Sequence, residues 1–111
     1  MASDKVYQDI SREDHMGKKT VRMNTQGIDR LPGDKPVVYK ILNSGGENIY
    51  TGVAKRGNVQ DRLRDHLPGK PDAVPGASKV QIEQMSRIKE AEQKEANIIS
   101  RTKPKYNQRG T

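Results

Sequence analysis

Apolar and polar residues alternate most regularly between residues 37 and 53. Val37 to Leu42 (VVYKIL) is rich in β-branched and aromatic side chains, Asn43 to Asn48 (NSGGEN) is turn chemistry, and Ile49 to Val53 (IYTGV) resumes the strand pattern. This reads as a β-hairpin with Tyr39 opposite Tyr50 or a near neighbour, so that two phenols converge on one face. Gly52, inside the second strand, has nothing to pack and marks a bulge or a close backbone approach. The period then changes to that of a helix. Asn58 is placed as an N-cap, Asp61 in the first turn, and Val59, Leu63 and Leu67 form an apolar stripe that Pro68-Gly69 ends. Arg62 and His66, four apart, lie along one edge of that stripe, at the border of core and solvent. After a Pro/Gly-rich loop over 70–78, a third strand is predicted over Val80 to Met85, and a helix from Ser86 to about Arg101.

In that last helix Ile88, Ala91, Ile98 and Ile99 define one stripe, and at about 100° per residue Glu95 falls near its centre. A carboxylate in an apolar seat is costly unless it meets a cation, either a basic side chain or a metal ion. Glu90 and Glu92 lie elsewhere on the helix, so the pattern singles out Glu95. Residues 1–35 carry no sustained period beyond a possible short strand around Thr20 to Met23. They are expected to form an arm, partly disordered or holding that one strand, with the ordered domain over 36–111.

Composition adjusts this picture. The 111 residues suffice for one domain, and with 31% hydrophobic residues and neither Phe nor Trp the core must be small. Residues 1–35 hold 7 basic and 6 acidic side chains, whereas residues 36–111 hold 14 and 8, so the net charge of +7 belongs mostly to the latter. A field of that sign gathers polyanions, and nucleic acid is the first partner to consider. The lack of Cys rules out disulfides and thiolate zinc sites. No run of ~18 apolar residues and no apolar leader stretch is present, which predicts a cytoplasmic protein without a membrane partner.

Taken in order, VVY, then YTG, RLRDH and EAEQKEANIISRTKPKYN resemble the GIY-YIG nuclease domain over roughly residues 36–109. The resemblance implies an α/β (α+β) fold, with a small, three-stranded, mostly antiparallel sheet flanked by helices. It also implies a divalent-metal-dependent endonuclease acting on DNA, with RNA as a possible substrate, in a repair, recombination, mobile-element, restriction or toxin role. Tyr39, Tyr50, Arg62, His66, Glu95 and Asn107 are the implied catalytic residues. Tyr39 would activate the water, Tyr50 would orient it, and Arg62 would clamp the phosphate. Glu95 would hold Mg2+ or Mn2+, the ions that carboxylate and water ligands suit, and Asn107 would close the site. Gly52, Lys55, Arg56, Arg64, Lys103, Lys105 and Arg109 are the candidates for contact with nucleic acid. Val37 and Val53 depart from the family pattern, and the loop over 54–61 is about two residues longer than in the excision-repair type. A non-catalytic nucleic-acid-binding module on the same fold is the alternative, an interaction domain for a larger nuclease a third reading, and a monomer or weak homodimer is expected.

Overall fold

A computed structural model of the chain describes residues 18–108, so residues 1–17 of the expected arm and Arg109 lie outside the described residues. In chain order the elements are β1 (Lys18–Arg22), α1 (Thr25–Asp29), β2 (Val37–Leu42), β3 (Asn48–Ala54), α2 (Val59–Arg64), β4 (Lys79–Gln84), α3 (Ile88–Thr102) and a 3-10 turn (Lys105–Asn107). The strands form one antiparallel sheet in the order β1-β4-β2-β3. The α+β class is as expected, but the sheet has four strands rather than three, because β1 adds to the outer edge of β4. Its successor α1 is only five residues long. Asn24 caps it, with Oδ1 accepting from Gly27 N at 2.7 Å, and the Gln60 side-chain amide donates to the Leu31 carbonyl at 2.8 Å. Met23, Ile28 and Leu31 thereby enter the core.

The β2–β3 hairpin turns on Asn43, whose Oδ1 accepts from the backbone N–H groups of Gly45 and Glu47 at 3.0 and 2.9 Å while Gly46 takes φ +85°. The register differs from the simple expectation. A shift between Ile41 and Leu42 sets Tyr50 opposite Ile41, and Tyr39 opposite Gly52. The two tyrosines remain on one face as diagonal neighbours, with ring centroids 6.3 Å apart. The Tyr39 ring lies over Gly52, where an added Cβ would stand 2.5 Å from the phenol oxygen and 2.6 Å from Cζ. The ring is enclosed and cannot swing aside, so Gly52→Ala is expected to cost about 1–3 kcal/mol in a denaturant melt, the usual range for overpacking. A variant as stable as the wild type would show that the ring is free to move.

The sheet divides the interior. On one face Val37, Tyr39, Ile41, Val80 and Ile82 meet Val59 and Leu63 of α2 and the residues contributed by α1. On the other, Val38 meets Ala91 and Ile98 of α3, with Val53, Met85 and Ile88 at the margin. The stripe read for the last helix is therefore its packing face, although the helix begins at Ile88, not Ser86. The α2 helix stops at Arg64, short of the predicted Leu67, and continues as tighter turns in which His66 N and Leu67 N bond to the carbonyls of Leu63 and Arg64. Asn58 occupies the N-cap position without a side-chain cap bond. No helix among the described residues is long and apolar enough to cross a membrane.

Candidate active site

A polar cleft of about 260 Å³ is lined by Tyr50, Arg62, His66, Asp72, Tyr106 and Asn107. Tyr50 comes from the edge strand β3, Arg62 and His66 from α2 and the turn after it, and Tyr106 and Asn107 from the 3-10 turn. The left-handed backbone at Lys103 (φ 44°) ends α3 and turns the KPKYN segment back towards β3. There the Asn107 amide grips the strand edge: Thr51 N donates to its Oδ1 at 2.7 Å and its Nδ2 donates to the Thr51 carbonyl at 2.9 Å. The side chain replaces the next strand of a ladder, satisfying an otherwise open pair of backbone groups. In Asn107→Asp an acceptor faces the Thr51 carbonyl in place of the donor. Unfolding should become easier by about 1–3 kcal/mol, and a chemical denaturation curve that did not move would contradict this pairing.

Tyr39 does not line the cleft. It is 0% exposed, and its hydroxyl lies 2.7 Å from His66 Nε2. His66, 2% exposed, has its other ring nitrogen 2.8 Å from the Asp72 carbonyl oxygen. A carbonyl only accepts, so Nδ1 carries the proton, Nε2 of the neutral ring is an acceptor, and Tyr39 donates to it. Burial is the main cause holding the His66 pKa below its ordinary value; Arg62 acts in the same sense and the Asp72 carbonyl against it. Burial, reinforced by Tyr50, drives the Tyr39 phenol well above the usual range, against the pull of Arg62. Both effects favour a neutral, fully satisfied chain from Tyr39 through His66 to Asp72.

This chain has a pH consequence. With the folded pKa of His66 below its unfolded value of about 6.5, the unfolded state takes up more protons as pH drops. The stability contributed by neutral His66 is complete above pH ~6.5 and is lost as pH falls from there towards the lowered folded value. The melting temperature should therefore decline on acidification from about pH 6.5, with a weaker decline in His66→Gln; identical profiles would refute the assignment.

Tyr50 is half-buried, its ring 5.0 Å from that of His66, and its hydroxyl makes no hydrogen bond among the described residues. Arg62 is held by Asp72 at 2.9 Å and more distantly by Asp65 at 3.7 Å. Partial burial opposes its charge, but the hydrogen bond to Asp72 and the two phenols Tyr39 and Tyr50 raise its pKa. Asp72 was not singled out in the sequence. It lies in a loop without periodicity, and its contacts to His66 through the carbonyl and to Arg62 through the carboxylate arise only when the loop folds back. Tyr106 was also missed; its place beside Asn107 in KPKYN was the available signal.

Glu95 sits between the buried Ala91 and Ile98 on α3 and is itself half-buried. Its carboxylate has neither an ion pair nor a hydrogen bond among the described residues. Burial, then the neighbouring Glu92, raises its pKa, and its charge acts on the Tyr39 hydroxyl. An unpaired, partly desolvated carboxylate is a fitting ligand for a hard cation. No group of three or more His, Cys, Asp or Glu that could hold a metal ion occurs among the described residues.

The basic candidates scatter. Lys55 and Arg56 are exposed after β3, and Lys103 caps α3. Lys105 stacks its ammonium 5.3 Å from the centre of the Tyr106 ring. Arg64 is engaged by Asp29 at 2.8 Å and Asp61 at 2.9 Å, tying α2 to the end of α1.

Comparison with known proteins agrees with this arrangement. The family model of the GIY-YIG catalytic domain matches residues 35–107. UvrABC system protein C of Bacteroides fragilis is 33% identical over 86 residues, which is 72% of this chain; the chain spans only 14% of that relative's length. Among solved structures, the GIY-YIG N-terminal endonuclease domain of UvrC from Thermotoga maritima, bound to its catalytic divalent cation magnesium, superposes with a TM-score of 0.62 at 32% identity. That match covers 75% of this chain and 94% of the other. A point mutant of the same domain, also bound to its catalytic divalent cation, covers 77% and 96% at a TM-score of 0.61 and 32% identity. The chain belongs to the GIY-YIG catalytic domain family.

Proposed function

We propose that the chain is a divalent-metal-dependent endonuclease that hydrolyses phosphodiester bonds of DNA in the cleft between β3, α2 and the 3-10 turn. The observation that carries this reading is the unpaired, half-buried Glu95 carboxylate on α3, the helix whose C-terminal continuation brings Tyr106 and Asn107 to the cleft. Glu95 would hold Mg2+ or Mn2+, the remaining positions being open to water and substrate phosphate. Held there, the ion would supply positive charge to the phosphoryl and leaving oxygens. The solved relative named above binds magnesium in its endonuclease domain, which supports the choice of ion.

The chain's own side chains then divide the work. Arg62, oriented by Asp72, donates to the phosphoryl oxygens, where the negative charge of the transition state grows. Tyr50, rather than Tyr39, meets the attacking water, because its hydroxyl is uncommitted and it lines the cleft. Tyr39 is a positioning residue: its donated hydrogen bond fixes the His66 ring, on which Tyr50 rests. Asn107 holds the edge of β3 and with it Tyr50. Lys103 and Lys105 would meet phosphates flanking the scissile bond without reading bases.

Incubating supercoiled plasmid with the protein tests this function. Nicked and linear products with Mg2+ or Mn2+, and none with EDTA, are expected. Plasmid, branched DNA and RNA all left intact, while binding persists, would overturn the enzyme in favour of a non-catalytic binding module.

A further inference from the structure

The outer face of the sheet is only half covered. The α3 helix packs against β2 and β3 through Val38, Val53, Ala91 and Ile98, and the β4 and β1 part of that face has no helix over it among the described residues. Strand alternation places Lys18, Thr20 and Arg22 of β1, Lys79, Gln81 and Glu83 of β4, and Lys40 of β2 on this face. The Gln81 side chain reaches Thr20 Oγ1 at 3.3 Å, as such neighbours should. Arg22 stands directly opposite Lys79, a like-charged cross-strand pair that disfavours the sheet in isolation. Glu83, the one carboxylate in these rows, is engaged by Lys94 of α3 at 2.8 Å. Lys18 stands opposite Glu83, whose carboxylate is turned to Lys94; Lys18, Arg22, Lys40 and Lys79 form no ion pair among the described residues, and all but the half-buried Lys40 are exposed. Moreover β1, with two of the four cations, lies outside residues 35–107, the segment the family model matches.

We propose that this face, Lys18, Arg22, Lys40 and Lys79, is a second contact surface for the phosphate backbone of duplex DNA, separate from the cleft. It rests on the reading of DNA as the substrate, and extends the grip on it beyond the scissile bond. Four cations on a rigid pleated surface, flanked by the neutral donors Gln81 and Thr20, fit a row of phosphates. A membrane surface fits less well, because the rows carry no aromatic wedge and, with Val38 buried under α3, only Leu42 as an apolar side chain left uncovered. Bound phosphate also neutralises the Arg22–Lys79 repulsion, which the fold alone leaves uncompensated.

The test is duplex binding in EDTA, where no cleavage intervenes, with affinity followed against salt. Each lost phosphate contact reduces the slope of log affinity against log salt by about 0.9 on B-DNA. Arg22→Gln/Lys79→Gln should therefore be shallower than wild type by about 1.8. Arg22→Lys should keep the wild-type slope, and Lys35→Gln/Lys89→Gln, exposed elsewhere, should leave affinity at this face intact. Without DNA, the Arg22→Gln/Lys79→Gln protein should melt at or above the wild-type temperature, since a repulsion has been removed. The proposal is overturned if its slope matches wild type or if the wild type binds no duplex. It is also overturned if the substitutions abolish binding to phosphatidylserine-containing vesicles while sparing DNA. A chain that binds with the expected slopes but never cleaves would sink the nuclease reading and leave this surface standing. One that cleaves but is indifferent to these substitutions would do the opposite.

Discussion

Tyr50→Phe is expected to slow single-turnover DNA cleavage by ~10²–10⁴-fold, the range for losing a positioned proton-transfer group, with little change in stability. Its hydroxyl is uncommitted and faces the cleft, so deleting it leaves no buried partner stranded. Tyr39→Phe should behave in the opposite way. There the removed hydroxyl leaves His66 Nε2 without its donor inside the core, so the variant should lose about 1–3 kcal/mol of stability and about tenfold in rate through a looser His66. The pair separates the residue that meets water from the one that holds the site together. If Tyr39→Phe were the inactive, stable variant and Tyr50→Phe the active one, the roles assigned here would have to be exchanged.

Much of this site was legible in the sequence because it rests on local periodicity. The alternation in VVYKIL and IYTGV and the turn residues between them give the hairpin. The 3.6-residue stripe of the last helix isolates Glu95 between Ala91 and Ile98, where the structure keeps it half-buried. The same alternation places Tyr39 with Val37 and Ile41 on the core face, a sign of its burial that the assumption of a water-activating role overrides. Features fixed by non-local contact were not legible. The register shift at Ile41/Leu42 depends on how Asn43 organises the turn, and it decides which residue Tyr39 faces. The fold of residues 18–31 depends on β4 as a template and on Gln60 as an anchor for α1, neither of which leaves a periodic trace in that segment. Asp72 acts partly through its backbone carbonyl, which any residue at that position offers; only the path of the loop gives it meaning.

In the proposed mechanism the ion pairs of Arg62 serve chemistry more than stability. Its pairs with Asp72 and Asp65 are partly exposed, so they add little to folding. They hold a planar donor at the cleft, and less side-chain freedom would be lost on binding the phosphate proposed above. Glu95 is the converse case, a group held where burial disfavours its charge, as the proposed cation site requires.

If hydrolysis depends on a cation held by Glu95, the single-turnover cleavage rates of wild type and Glu95→Gln should separate as Mg2+ is titrated. Glutamine keeps the shape and removes the charge, so folding and DNA binding in EDTA should survive, with stability in EDTA equal to or above wild type. The wild-type rate should rise with Mg2+ and saturate, while that of Glu95→Gln should stay lower by ~10³-fold or more, as expected for losing several kcal/mol of charge stabilisation in the transition state. A Glu95→Gln rate within about threefold of wild type at every Mg2+ concentration, a difference under ~1 kcal/mol in barrier, would contradict the claim and move the metal site elsewhere.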